Sequence, residues 1–180
     1  MIESTYWRQE LRAELAWLKK HRKYRRWSER QLVLYERRLM LVAFQVRSLL
    51  ERLKVNDCAR NVRMPLIRYK KIGSNPFTFV GEGFPEDRFD MENPEPSDLG
   101  VLEVCNQLIH YYWMQTWSEG KAFKGMLVFS DYMRHKWAYE FWIEDLISVF
   151  SAFADNSSAV GELSFSWNEK KQDYVARHAH

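Results

Sequence analysis

Cysteine is scarce in this chain: Cys58 and Cys105 are the only two, far apart and in no metal-type spacing. That excludes a disulfide framework and a zinc ribbon, and reduced thiols in a cytoplasmic setting are the expectation. Long apolar runs are missing too. No stretch approaches the roughly 20 residues needed to span a bilayer, since the most apolar region, 141–154, carries Glu144 and Asp145. The first residues, MIESTYWRQE, hold an early acid and no apolar run of signal-peptide type, so no membrane association is expected. Glycine-rich phosphate loops are absent. Gly81 and Gly83 in VGEGF supply half of a dinucleotide fingerprint, and the acids that follow would repel a pyrophosphate. There is no HExxH, no GxSxG and no Asp-rich calcium loop, so neither a metal nor another cofactor is expected. Proline is confined to Pro65, Pro76, Pro85, Pro94 and Pro96.

What is present is apolar and aromatic material. The chain is 46% hydrophobic and 16% aromatic over 180 residues, enough to fold as one domain, 1–180, with a single core. From Leu32 the apolar positions Tyr35, Leu39, Val42, Val46, Leu49 and Leu53 follow in steps of three and four, one stripe along a helix. Ser28 with Gln31 forms a capping box, so this helix is predicted over 28–56. Its middle, residues 39–44, is apolar all round and is expected to be covered. An earlier helix, 4–20, puts Trp7, Leu11, Leu15 and Leu18 on one face. Unbroken continuation would place Glu14, His21, Arg25 and Ser28 in the stripe, so a break near 21–28 and an antiparallel hairpin are predicted.

Residues 58–81 lose the helical period and read as irregular strands and turns, and 82–97 as an acidic, exposed loop. A central, largely buried helix is predicted over 98–118. Residues 124–178 read as strands with a short helix at 143–154 and a terminal hairpin with alternating apolar positions. The expected fold class is α+β: an N-terminal antiparallel helical hairpin packed with a central helix and a small, mainly antiparallel sheet.

Charge is unevenly spread although the formal net charge is only +3. Residues 19–30, KKHRKYRRWSER, contain seven Lys or Arg, whereas 82–98 holds seven acids against Arg88 alone. The basic block falls on the hairpin connection, where Lys19, Lys20, Arg22, Lys23, Arg25, Arg26 and Arg30 can hold phosphates or acidic protein surfaces. Tyr24 and Trp27 are positioned in sequence to stack on a base or to pack against a helix. Compensation between the basic and acidic segments is the plain alternative.

Catalytic candidates are few. Asn106 and His110 lie four apart on the predicted third helix beside Glu103 and Gln107, a strip that suits imidazole acid–base work or a satisfied polar seam. An Arg followed after four to six residues by His, the spacing used by helical ribonuclease toxins, occurs before none of the five histidines. Asp131, Arg134, His135 and Glu140 cluster near a turn, where polar residues ordinarily serve solvation. The aromatic runs Tyr111, Tyr112, Trp113, Trp117 and Trp137, Tyr139, Trp142 are assigned mainly to packing.

The sequence therefore points to a non-catalytic intracellular binding protein whose basic hairpin end meets an anionic partner, DNA or RNA first. The alternative is a protein-interaction or self-assembly module without nucleic-acid contact, and a hydrolase or nuclease using His110 stands third.

Overall fold

A computed structural model of the chain describes residues 4–23, 27–52, 55, 57–78, 80, 84–155, 163–170 and 172–178. Helix α1 (Ser4–His21) and helix α2 (Glu29–Glu51) form the hairpin. The break falls where the stripe would have turned polar. Ser28 caps α2: its Oγ accepts from the Gln31 N–H, and the Gln31 side chain accepts from the Ser28 N–H at 2.9 Å. The two helices are locked together by Tyr35, whose hydroxyl donates to the Leu18 carbonyl at 3.1 Å. The connection is in turn tied to the sheet, because the Phe123 N–H donates to the Arg22 carbonyl at 2.7 Å.

After the short helix α3 (Asp57–Arg60), strands β1 (Arg63–Lys70), β2 (Glu95–Gly100), β3 (Tyr111–Glu119), β4 (Ala122–Ser130) and β5 (Trp137–Trp142) build one antiparallel sheet in the order β2-β1-β5-β4-β3. Helix α4 (Val101–Ile109) carries the chain from one edge of the sheet to the other, and α5 (Ile143–Asp155) follows β5 directly. A separate hairpin, β6 (Leu163–Asn168) with β7 (Asp173–His178), ends the described chain.

The sheet is apolar on both faces. One face, with Met126, Val128 and Phe141, meets Leu11 and Leu18 of α1, Leu39 and Val46 of α2, Val104 and Leu108 of α4, and Phe150 and Phe153 of α5 in the main core. The other, with Tyr69, Leu127, Phe129 and Ala138, is covered in part by Phe77 and Phe89 from the segment between β1 and β2. Alternating side chains of β4 thus serve both cores, as the two-residue period of a strand requires.

Four expectations need correction. The helix predicted over 98–118 ends at Ile109; from Tyr111 the chain is strand β3, because its aromatic residues pair residue by residue with β4. The loop predicted over 82–97 gives way at Glu95 to β2, whose Ser97 and Asp98 pair with Leu66 and Pro65. Pro96 is tolerated there since β2 is an edge strand. Helix α2 stops at Glu51 with Arg52 as its C-cap, short of the predicted end. Finally, the middle of α2 is not fully covered: Leu41 and Phe44 are 44% and 52% exposed.

Candidate functional site

The basic block divides into three groups. Lys19, Lys20 and His21 form the last turn of α1, where cations suit the negative end of the helix dipole. Lys19, Lys20, Lys23 and Arg30 are exposed, and none has a carboxylate within ion-pair distance among the described residues. Lys23 is near enough to Glu144 to act on its carboxyl by charge.

The second group is committed internally. Arg22 makes a hydrogen-bonded ion pair with Glu144 in the first turn of α5, and its guanidinium holds the Glu144 carboxyl below the usual carboxylate range, with Lys124 and Lys23 adding smaller charge effects. His21 stacks on Trp17 with ring centroids 4.0 Å apart and its Nδ1 lies 2.8 Å from the Trp17 carbonyl. Trp27 is half-buried against the main core, with the Tyr35 and Phe123 rings at 5.6 and 5.5 Å. Tyr24, Arg25 and Arg26, the third group, lie outside the described residues.

Among the described residues no acid of the acidic segment forms an ion pair with this end. The segment's Glu95 is paired with Arg68 at 2.9 Å and its Asp98 with Arg63 at 2.6 Å, both on β1. Between α1 and α5 the surface instead forms a groove of about 520 Å³, with Arg12, Lys19 and Arg22 along one wall and Glu144, Ser148 and Asp155 along the other. Arg12 and Asp155 close across it at 3.0 Å. In the sequence Glu144 shows only as an acid interrupting the apolar 141–154 region, and its service to Arg22 has no local signal.

The Asn106/His110 strip lies in a different place, a cleft of about 300 Å³ shared with Arg47, Glu103, Gln107 and Tyr132. His110 is the C-cap of α4, and Arg47 Nη1 of α2 lies 3.5 Å from its Nε2. An arginine only donates, so the contact is a hydrogen bond only in the tautomer that leaves Nε2 unprotonated, and in that tautomer the lone pair a general base would use faces a guanidinium. Arg47 is itself paired with Glu51 at 2.8 Å, and the Glu103 carboxylate accepts from the Gly100 N–H at 3.0 Å. Gln107 is buried and accepts from the Ser130 hydroxyl, which makes it a strut between α4 and β4. Asn106 Oδ1 is buried without a partner among the described residues. Tyr132 meets His110 edge-on at 5.5 Å.

The nearby thiol adds no nucleophile: burial pushes Cys105 up, which keeps it protonated. Arg47 and Tyr132 are the members of this cleft that the sequence did not reveal.

Three of the four turn-cluster residues are in contact, Arg134 Nε lying 3.4 Å from His135 Nε2. Asp131 and Arg134 pair at 3.4 Å, Arg134 lies over the Tyr112 ring at 3.6 Å, and His135 Nδ1 accepts from the Phe77 N–H at 3.3 Å. Glu140 stands apart on β5, accepting from the Tyr69 hydroxyl. Among the described residues no group of three His, Cys, Asp or Glu is placed to hold a metal ion, and no helix is long and apolar enough to cross a membrane.

No family model, curated protein or solved structure matches the chain.

Proposed function

We propose that the protein is a non-catalytic binding protein that takes nucleic-acid phosphates at the α1–α2 end of the molecule. The observation that carries this reading is the exposure of Lys19, Lys20, Lys23 and Arg30 at one end of a helical hairpin, with the acidic segment's Glu95 and Asp98 engaged elsewhere by β1 arginines. Exposed cations without carboxylate partners can displace the counterions of a phosphate backbone, and each phosphate so held steepens the salt dependence of affinity by about 0.7 to 0.9 in log–log slope. Recognition by these four exposed side chains is electrostatic and carries little sequence preference, with the half-buried Trp27 engaged by Tyr35 and Phe123.

The test is fluorescence anisotropy with single-stranded and duplex DNA and RNA 20-mers between 50 and 200 mM salt. Affinity should fall steeply with salt, and replacing Lys19, Lys20, Lys23 and Arg30 with Gln should weaken it and flatten that slope. Binding indifferent to salt, or to the fourfold replacement, defeats the reading.

A second reading, protein assembly, is favoured by one observation. Val33, Leu41 and Phe44 on α2 are 57%, 44% and 52% exposed. Apolar residues grouped on a helix suit a protein partner. Light scattering separates the two readings: a stable oligomer with no affinity for nucleic acid, dispersed by Leu41→Ser with Phe44→Ser, supports assembly.

A further inference from the structure

On the face of the sheet turned away from the helices, beside the part that Phe77 and Phe89 cover among the described residues, a carboxylate lies near aromatic rings. The strand register sets this up. Ile67 of β1, Glu140 of β5, Leu127 of β4 and Gln115 of β3 fall in one row across the sheet, and Trp142, Gly125 and Trp117 fall in the next. Residues two apart on a strand share a face, so Glu140 with Trp142, and Gln115 with Trp117, project to the same side. Met91, from the turn before β2, closes one wall. The result is a cleft of about 380 Å³ lined by Met91, Gln115, Trp117, Leu127 and Glu140.

Three features give this cleft a chemical preference. Glu140 accepts from the Tyr69 hydroxyl through Oε2, and among the described residues no Lys or Arg forms an ion pair with it. Its charge is thus oriented but not neutralised. Trp117 is held in place: its ring lies over Gly125, where an added Cβ would come within 2.5 Å of two ring carbons, and it meets Trp142 edge-on at 5.6 Å. Trp142, two residues along β5 from Glu140 on the same face, is 41% exposed and reaches the cleft through its contact with Trp117. A carboxylate flanked by indole faces attracts an organic cation by charge and by the ring quadrupole, and it repels phosphate.

We infer that this cleft binds an alkylammonium group, carried by a lysine side chain or by a small amine, between Glu140 and the Trp117/Trp142 pair. The site is separate from the basic hairpin end and would stand whether or not that end binds nucleic acid.

The test is a titration of the full chain, followed by ¹⁵N–¹H correlation spectra of the tryptophan indole groups, with n-butylammonium chloride, the tripeptide acetyl-Gly-Lys-Gly-amide, n-butanol and adenosine monophosphate. The Trp117 and Trp142 signals, assigned with Trp117→Phe and Trp142→Phe, should move saturably with the amine or the peptide, while that of Trp27 against the main core stays still. Tighter binding of the peptide than of the amine identifies a protein lysine as the source, and the reverse a small amine. Glu140→Gln keeps an acceptor for Tyr69 and should weaken binding about tenfold. Equal shifts with n-butanol or the nucleotide, no saturation in the wild-type chain, or unchanged affinity in Glu140→Gln would overturn the assignment. The wild-type titration decides the matter even if the variant folds poorly.

Discussion

Trp117 lies across Gly125 so closely that glycine is the only residue the site admits: a Cβ there would stand 2.5 Å from the Trp117 ring and 2.5 Å from the Phe141 carbonyl oxygen. The two residues are register partners on β3 and β4, and the close approach sits next to a register irregularity at Trp117/Ser118. Because one neighbour is backbone, the clash cannot be relieved by a side-chain turn alone. Gly125→Ala should therefore destabilise the fold by about 1–3 kcal/mol, the usual range for overpacking. Thermal unfolding would register this as a drop of about 2–4 °C for each kcal/mol in a chain of this size.

The bond between Ser130 and Gln107 invites a double-mutant cycle. Both residues are buried, Ser130 fully so, and the serine hydroxyl donates to the Gln107 carbonyl oxygen while accepting from the Met133 N–H at 3.2 Å. Ser130→Ala strands the buried Gln107 oxygen, while the Met133 N–H keeps its bond to the Ser130 carbonyl at 3.2 Å, and a cost of about 1–3 kcal/mol is expected. Gln107→Met with Ser130→Ala removes a polar pair together, so the double variant should cost less than the two single losses added. Urea denaturation of the four proteins measures the coupling. Strict additivity would show that the bond contributes nothing in particular.

Alkaline pH should expose the contact between α2 and β3. The Tyr111 hydroxyl donates to the Glu36 carboxylate, and this bond, then partial burial, then the negative charge of Glu36, push the phenol up to about 12. A folded-state value above the unfolded one, about 10, means that this stabilisation is complete below pH 10 and is lost as pH rises through 12. Tyr111→Phe should flatten the alkaline limb of stability in that window. Denaturant midpoints compared at pH 9, 10 and 11 would show it, and parallel curves for the two proteins would count against it.

Much of the helical layer was legible because its signals are local. The stripe of α2 shows itself through Tyr35, Leu39, Val42, Val46 and Leu49, all buried, and the capping box at Ser28 is spelled out in four residues. The end of α4 was not legible. Tyr112 continues the three-four spacing of Val104 and Leu108, yet the run of aromatics from Tyr111 fits a strand equally well, and pairing with β4, a tertiary fact, decides between them. Ser97 and Asp98 looked like a helix start for the same reason, although β1 draws both into an edge strand and Arg63 holds Asp98 there. The basic block could be read from composition alone. Its division into exposed and committed residues could not, since the partner of Arg22 lies 122 residues away and the arginine facing His110 lies 63 residues before it.

The pair of Arg22 with Glu144 yields predictions of opposite sign on stability and on binding. Glu144 is held below its ordinary value by Arg22, so the pair stabilises the fold above the unfolded carboxyl value, about 4.3, and that contribution fades as pH falls through the lower folded value. Glu144→Gln should therefore flatten the acid limb of stability, and Arg22→Gln should flatten it to the same extent, with no further change in the double variant. In binding the two part company. Glu144→Gln leaves the Arg22 guanidinium uncompensated in the groove beside Lys19 and raises the positive potential at the hairpin end, so affinity for a nucleic-acid 20-mer at 50 mM salt should rise a few-fold. Arg22→Gln should lower it. Anisotropy titrations of the single variants at matched salt provide the comparison, with urea midpoints between pH 2 and 6 as the control for folding. If both substitutions shift affinity in the same direction, the effect is one of stability, and the anionic partner is bound elsewhere on the molecule.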